Sequence, residues 1–368
     1  MRAIIAGGGT TGHITPGISI AETILNHERD SDILFVGREG GDENGIVKQR
    51  GFELKTLRIS GFSRRLTPKN VKNAFLTAGA LAKAVSIIRE FEPEIVIGTG
   101  GYACWPVLRA AQMLKIPTVL HESNVVPGLA TRMLAHKCTR VLLNFPGSEK
   151  ELKHSDNVAI VGNPILSETT SGTRESARRR LGISSSEFFI LSFGGSGGAE
   201  VLNKHAVALM QNYCMKVGRV RHVHATGRKY YSAIKSAYPS LTTGKCGCMI
   251  YPYIEDMATH MLAADVVICR CGAMTLSELA SAGTVPILIP SPNVTDNHQY
   301  KNGKLFVDKG AALMIEESEL NDRTLTDAVR YLENNPHLMI KMRSRLKEFS
   351  TDNSRELIYG HLVKILRK

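Results

Sequence analysis

Two glycine-rich loops, each fed by a short apolar run, constrain this chain more than any other feature. The first, Ala6-Gly7-Gly8-Gly9-Thr10-Thr11-Gly12-His13, follows Ala3-Ile4-Ile5. The second, Ser192-Phe193-Gly194-Gly195-Ser196-Gly197-Gly198, follows Phe188-Phe189-Ile190-Leu191. Each runs on into an amphipathic stretch, residues 18–25 and 201–209. A buried strand, a tight glycine turn and a helix N-terminus together make a site for phosphate or another anionic group. Glycine lets backbone N–H groups approach the ligand, and the helix dipole adds partial positive charge. Two such units in 368 residues predict two facing nucleotide-type domains.

Around the loops, strand and helix signals alternate. Ile33-Leu34-Phe35-Val36 reads as a strand, and residues 70–91 read as a helix with apolar positions at helical spacing. Glu94-Ile95-Val96-Ile97-Gly98 is a strand ending in another glycine turn, Gly98-Thr99-Gly100-Gly101-Tyr102, and strands at 118–121, 140–143 and 158–161 follow. The second half repeats the pattern at 219–225, 249–251, 266–269 and 285–290. Strands separated by helices predict parallel sheets with right-handed crossovers. The polar stretch 167–180 includes the first helical turns of the second domain, and the hinge is expected near Gly162-Asn163-Pro164. The tail from Asn335 reads as helices able to pack back across the first domain.

No apolar run approaches the roughly 20 residues that span a bilayer. Met1-Arg2-Ala3-Ile4-Ile5 enters a strand at once, so no signal peptide and a cytosolic location are expected. Seven cysteines, odd in number and scattered, suit that compartment better than a disulfide framework. Cys246-Gly247-Cys248 and Cys269-Arg270-Cys271 invite a zinc reading, but C-x-C places both thiols on one strand face without chelating geometry. Buried structural thiols are expected instead, and no metal. A net charge of +12 fits nucleic acid, an anionic membrane or phosphorylated substrates, or a basic surface without special meaning. With only 6% aromatic residues and no interleaved basic–aromatic motif, nucleic acid is set aside.

Gly7-Gly8-Gly9-Thr10-Thr11-Gly12 also matches the dinucleotide pattern G-x-G-x-x-G. That pattern wants an acidic residue at the end of the second strand, and Gly37-Arg38-Glu39 fits a nicotinamide cofactor poorly. His13 suits a base near neutral pH or a donor to phosphate; the alternative is a helix N-terminal side chain bonded to local backbone. His121-Glu122-Ser123-Asn124 sits at a strand C-terminus, where open α/β sheets place ligand-binding residues. Its alternative is a strand-end turn with satisfied local bonds. Residues 269–278 form a strand end, a turn and a helix start that favours an anion, with Glu278 able to reach sugar hydroxyls. There the alternative is a capping box between Thr275 and Glu278. Residues 290–299 form a polar loop whose amides and imidazole can read a polar ligand.

In their order and spacing these motifs closely resemble the MurG family: the His13 loop and residues 98–102, 121–124, 162–164, 194–198, 270–278 and 297–299. The resemblance covers nearly the whole chain. It implies an α/β GT-B glycosyltransferase fold, two Rossmann-like parallel-sheet domains facing across a cleft. It also implies inverting, metal-independent, cofactor-free transfer of GlcNAc from UDP-GlcNAc to the MurNAc 4-hydroxyl of lipid I (undecaprenyl-pyrophosphoryl-MurNAc-pentapeptide), making lipid II for peptidoglycan. The domains it implies are an acceptor- and membrane-facing one over 1–163, joined by a helix over 345–368, and a UDP-GlcNAc-binding one over 164–344.

For the donor the resemblance places Thr10, Thr11, Gly12 and Asn124 near the sugar, and Gly195, Ser196 and Gly197 at the diphosphate. The Ile254 backbone would meet uracil and Glu278 the ribose. Arg270, Ala273, Met274, Thr275, Leu276 and Ser277 would line the nucleotide pocket, and His298 and Gln299 would face the sugar. For the acceptor it implies Gly9, Gly100, Gly101, Tyr102 and His121. His13 is the first candidate base and Glu122 the second. A basic–apolar stretch with Phe62, Arg64, Arg65, Lys69, Lys72, Phe75 and Leu76 would meet an anionic membrane surface, placing the protein peripherally on the cytoplasmic face, with cell-wall or division proteins as possible partners.

Two positions depart from the family pattern: Thr11 stands where glycine is usual, and Ile165-Leu166 where an arginine follows Gly-Asn-Pro. A lost charge-assisted contact of that kind is worth roughly 1.5–3 kcal/mol. These departures motivate two alternatives, a related transferase with a different acceptor and a weakly active UDP-sugar-binding paralogue.

Overall fold

The computed structural model describes every residue but 10, 42–43, 60–67, 154–155, 167–171, 245 and 368, and every side chain but those and 11 and 68–74. Thr10, Phe62, Arg64 and Arg65 therefore lie outside the described residues, as do the side chains of Thr11, Lys69 and Lys72. The chain divides into two units, Met1–Leu166 with Thr351–Lys368, and Ser167–Ser350.

In the first unit the strands are β1 (Arg2–Gly7), β2 (Asp32–Arg38), β3 (Glu53–Leu57), β4 (Ile95–Gly100), β5 (Thr118–Glu122), β6 (Arg140–Leu143) and β7 (Val158–Ile160). They form a parallel sheet in the order β3-β2-β1-β4-β5-β6-β7 among the described residues. Side chains alternate across a strand, so an apolar run feeds both faces of such a sheet. Ile4, Leu34, Val96 and Leu120 join one core, with the helices Pro68–Phe91 and Cys104–Met113 laid over it. Ile5, Phe35, Ile97 and Val119 join the other, beneath the helices Thr11–His27 and Ser354–Leu366.

The tail is not a single helix over 345–368. Pro336–Leu346 belongs to the second unit, and Ser354–Leu366 packs Ile358 and Leu362 into the first. Ser350-Thr351-Asp352-Asn353, residues that favour turns over helix interiors, separate them. The returning chain meets the Gly162-Asn163-Pro164 turn closely. A side chain at Gly162 (φ +82°) would lie 1.9 Å from Thr351 Oγ1, and Ser354 Oγ donates to the Asn163 carbonyl at 2.8 Å.

In the second unit, β8 (Phe188–Phe193), β9 (Val220–Ala225), β10 (Cys248–Tyr251), β11 (Val266–Cys269), β12 (Val285–Leu288) and β13 (Leu313–Met314) pair in the order β10-β9-β8-β11-β12-β13, again parallel. All seven cysteines are free thiols, and only Cys246 is not buried.

Candidate functional site

In the first unit, strand order reverses between β1 and β4, where open parallel sheets leave a ligand crevice at their C-terminal ends. The loops that follow these strands touch. A side chain at Gly101 (φ +81°) would lie 1.6 Å from the Gly8 carbonyl oxygen, so only glycine fits. One at Gly100 would strike the His13 ring 2.5 Å from Nδ1, so that glycine makes the seat of the imidazole. His13 Nδ1 lies 3.2 Å from the Thr99 carbonyl oxygen, and Thr99 Oγ1 donates to the His13 carbonyl at 2.6 Å. A carbonyl only accepts, which assigns the proton to Nδ1 and makes Nε2 the basic nitrogen of the neutral ring. Gly12 is exposed, and so is Tyr102, whose ring lies beside Gly9.

At the end of β5, Glu122 is buried with four donors on its two oxygens. Oε1 accepts from the Asn124 N–H and Nδ2, both at 3.0 Å; Oε2 accepts from the Gly128 N–H at 2.9 Å and Thr131 Oγ1 at 2.6 Å. These bonds fold the loop and leave the carboxylate little capacity as a base, which is the satisfied turn weighed from the sequence. They also hold Asn124, which stays partly exposed. His121 is wholly buried, with Nε2 3.0 Å from the Gly162 carbonyl oxygen, and burial pushes its pKa down. Its side chain cannot meet an acceptor as expected; it joins β5 to the Gly162 turn.

The second unit reverses strand order between β8 and β11. After β8, Gly195, Ser196 and Gly197 are exposed, and the helix Glu200–Asn212 starts at Ala199 without a side-chain cap. After β11, Gly272 caps the helix Ala273–Ala282, also without a side-chain bond, so the Thr275–Glu278 capping box does not form. The first-turn N–H groups of Ala273, Met274 and Thr275 lie outside the helix's own ladder, the usual setting for an anion. Glu278, partly exposed one turn in, has its carboxyl raised to about 7 by desolvation. Leu276 departs from expectation: its side chain is wholly buried and its N–H bonds the Gly272 carbonyl, so it has nothing to offer a donor. Ser277 is buried too, as is the Ile254 side chain.

Arg270 is spent on protein. It pairs with Glu317 and donates through Nη1 to the carbonyls of Ile289 at 3.2 Å and Pro290 at 3.3 Å. It thereby anchors the loop after β12 and is not a cation turned toward a phosphate. That loop passes through Asp296 (φ +58°) and Asn297 (φ +51°), two left-handed residues that turn the chain into the helix His298–Asp308. Gln299 Oε1 accepts the Ser291 N–H at 2.9 Å, which leaves its NH₂ as the donating end. His298 Nδ1 lies 2.8 Å from the Thr295 carbonyl oxygen.

The glycosyltransferase family 28 N-terminal domain matches residues 3–143, and the glycosyltransferase family 28 C-terminal domain matches residues 189–357. The chain is 39% identical to the UDP-N-acetylglucosamine–N-acetylmuramyl-(pentapeptide) pyrophosphoryl-undecaprenol N-acetylglucosamine transferase of Acetivibrio thermocellus, over 100% of this chain and 99% of that protein. The chain belongs to the MurG family of glycosyltransferases. The Clostridioides difficile enzyme of the same name is 36% identical over 99% of this chain and 89% of its own length. The crystal structure of Acinetobacter baumannii MurG superposes with a TM-score of 0.75 at 25% identity, covering 100% of this chain and 99% of that one. A Neisseria meningitidis UDP-GlcNAc 2-epimerase, solved with UDP-GlcNAc, superposes at 0.66 with 13% identity over 99% of this chain and all of that one, a likeness of fold alone.

The MurG-family chain thus has the GT-B fold, and each unit gathers most of its sequence-predicted residues at its switch point. His13, Gly9, Gly12, Gly100, Gly101 and Tyr102 meet in the first, with Asn124 after the next strand, β5; Gly195–Gly197, Ala273–Thr275 and Glu278 flank the second. His121, Glu122, Arg270 and Leu276 serve the framework. Thr99, which orients His13, was missed as an individual residue, although its place inside Gly98-Thr99-Gly100-Gly101 marked it. Where the family pattern has arginine, Ile165 is buried and Leu166 packs on the core of the first unit, with Ser19 Oγ donating to the Ile165 carbonyl at 3.0 Å.

Proposed function

We infer that this chain transfers GlcNAc from UDP-GlcNAc to the MurNAc 4-hydroxyl of lipid I, making lipid II with inversion at the anomeric carbon and without a metal. The full-length identity to transferases of that name carries the reading. The glycine loops support it, because each presents backbone N–H groups and a helix N-terminus where an anion would sit.

In this mechanism the second unit holds the leaving group. Gly195–Gly197 and the amides of Ala273–Thr275 meet the diphosphate, so that charge developing on UDP is stabilised by fixed dipoles. Glu278 accepts from the ribose hydroxyls, the Ile254 backbone reads uracil, and His298 and Gln299 contact the sugar. In the first unit, His13 Nε2 removes the proton of the acceptor hydroxyl as that oxygen attacks the anomeric carbon. The Thr99 carbonyl, bonded to Nδ1–H, stabilises the imidazolium that forms. Glu122 acts through Asn124 by holding its loop. Gly9 and the Gly100–Tyr102 turn receive the acceptor.

Among the described residues no helix is long and apolar enough to cross a membrane. We place the protein on the cytoplasmic membrane surface through the basic–apolar stretch, of which Phe75, 77% exposed, and Leu76, partly buried, are the described apolar members. Its binding to anionic vesicles should exceed that to neutral ones and fall with salt.

Transfer of labelled GlcNAc to a short-chain lipid I analogue, with EDTA present, tests the reaction. A β1→4 disaccharide product is expected. UDP-GlcNAc binding without transfer to lipid I would overturn the acceptor assignment.

A further inference from the structure

Four polar side chains run in one line through the interior of the second unit and end on the backbone carbonyl of a fifth polar residue, Thr226. Ser192, His222, His224 and Thr226 are wholly buried and Asn203 is 3% exposed. Buried polar groups are costly unless joined, and these are joined end to end. One end sets the direction of the bonds between these side chains. The Thr226 carbonyl only accepts, so Asn203 presents Nδ2 to it at 2.9 Å and turns Oδ1 to His224 Nε2 at 3.0 Å. Oδ1 only accepts, so His224 carries its proton on Nε2; in the neutral ring Nδ1 then accepts from the Ser192 hydroxyl at 2.7 Å, the shorter of its two contacts, the other being the Ser192 carbonyl oxygen at 3.1 Å. The Ser192 oxygen in turn accepts from His222 Nε2 at 2.7 Å. Burial pushes both imidazoles down, His224 to about 4, so both rings are neutral near pH 7.

What this line holds is the support of the Gly194–Gly198 loop. A side chain at Gly198 would come 2.2 Å from the Thr226 carbonyl oxygen, and one at Gly227 would come 2.8 Å from the Gly197 carbonyl oxygen. Backbone rests on backbone, with no side chain between to absorb a shift. Thr226 is pinned from the other side by its own hydroxyl, which donates to the Tyr251 carbonyl at 3.1 Å. Moving the Thr226 carbonyl must therefore move the loop.

We propose that His224 is a positioning residue for the donor diphosphate: with Ser192 and Asn203 it fixes the Thr226 carbonyl and hence the amides of residues 195–198. This rests on reading that loop as the diphosphate site.

Calorimetric titration of UDP and of uridine into the full chain and into His224→Leu and His224→Gln tests it, alongside kcat and KM for UDP-GlcNAc. Leucine fills the space and donates nothing, whereas the glutamine Nε2 can restore the bond to Asn203. His224→Leu should weaken UDP about tenfold, near 1.4 kcal/mol, leave uridine unchanged and raise KM for UDP-GlcNAc more than it lowers kcat. Glutamine should recover most of the loss. Equal loss for UDP and uridine, no loss for either, or a glutamine variant no better than leucine would overturn the proposal. If His224→Leu does not fold, Ser192→Ala removes one hydroxyl of the same line and should give the same UDP-selective loss. A parent chain that binds UDP no more tightly than uridine overturns the diphosphate reading together with the proposal. A UDP preference insensitive to these variants overturns the proposal alone.

Discussion

Replacing Glu278 with glutamine should stabilise the second unit while impairing the reaction. Desolvation raises this carboxyl from 4.5 to about 7, so between those values the folded chain holds a proton that the unfolded chain has released. Stability then falls as pH rises through that window. The cost is absent below 4.5 and complete above about 7. At about 1.4 kcal/mol per pH unit it amounts to roughly 3 kcal/mol, an upper value because Glu278 is partly exposed. Glutamine has no proton to lose and escapes it. Urea unfolding of parent and Glu278→Gln, without ligand, should show a gap in favour of the variant that opens from about pH 5 and levels off near pH 8. UDP binding to the variant should weaken by about 1.5–3 kcal/mol, the worth of hydrogen bonds to a charged acceptor. The reasoning fails if the variant is no more stable than the parent near pH 8, or if the gap does not change with pH. Stability withheld in this way is a familiar trade against function where the group is one that binds substrate, as proposed for Glu278.

His13→Ala should lower kcat by about 10²–10⁴-fold with UDP affinity nearly unchanged, and retention of near-normal turnover would remove His13 as the base. Glu122→Ala leaves four donors without their acceptor and should destabilise the first unit by at least about 2 kcal/mol, read as a lower melting temperature. A Glu122→Ala chain that melts normally yet has lost turnover would instead restore Glu122 as a base. Gly101→Ala places a methyl group 1.6 Å from the Gly8 oxygen at positive φ, and should yield a chain whose first unit does not fold by circular dichroism.

Most of both sheets was legible because parallel strands buried on two faces read as continuous apolar runs, as at Ile33–Val36 and Val266–Cys269. β3 was missed: as an edge strand with sequence Glu53-Leu54-Lys55-Thr56-Leu57 it needs apolar residues at few positions. The glycine loops were legible because close backbone approach admits no other residue. Arg270 and Leu276 were misread because a motif names positions without saying where a side chain turns. Arg270 met two carbonyls and Glu317 from distant sequence, and Leu276 fell on the core side of its helix. Glu122 shows the same limit, since its four donors belong to a loop that folds only in three dimensions.

The first unit is built from both sides of the second in sequence, with Ile358 and Leu362 completing the core begun by Ile5 and Phe35. On the ribosome, residues 351–368 are made only after the whole of the second unit. The first sheet therefore waits, one apolar face covered only in part by the helix Thr11–His27, while the second unit is synthesised and can fold. A chain released before Ser354 would carry a complete second unit and an open first unit, a form suited to capture by chaperones or proteases. Biosynthesis thus ties completion of the first unit to the helix Ser354–Leu366, and a nascent chain cannot finish that unit early.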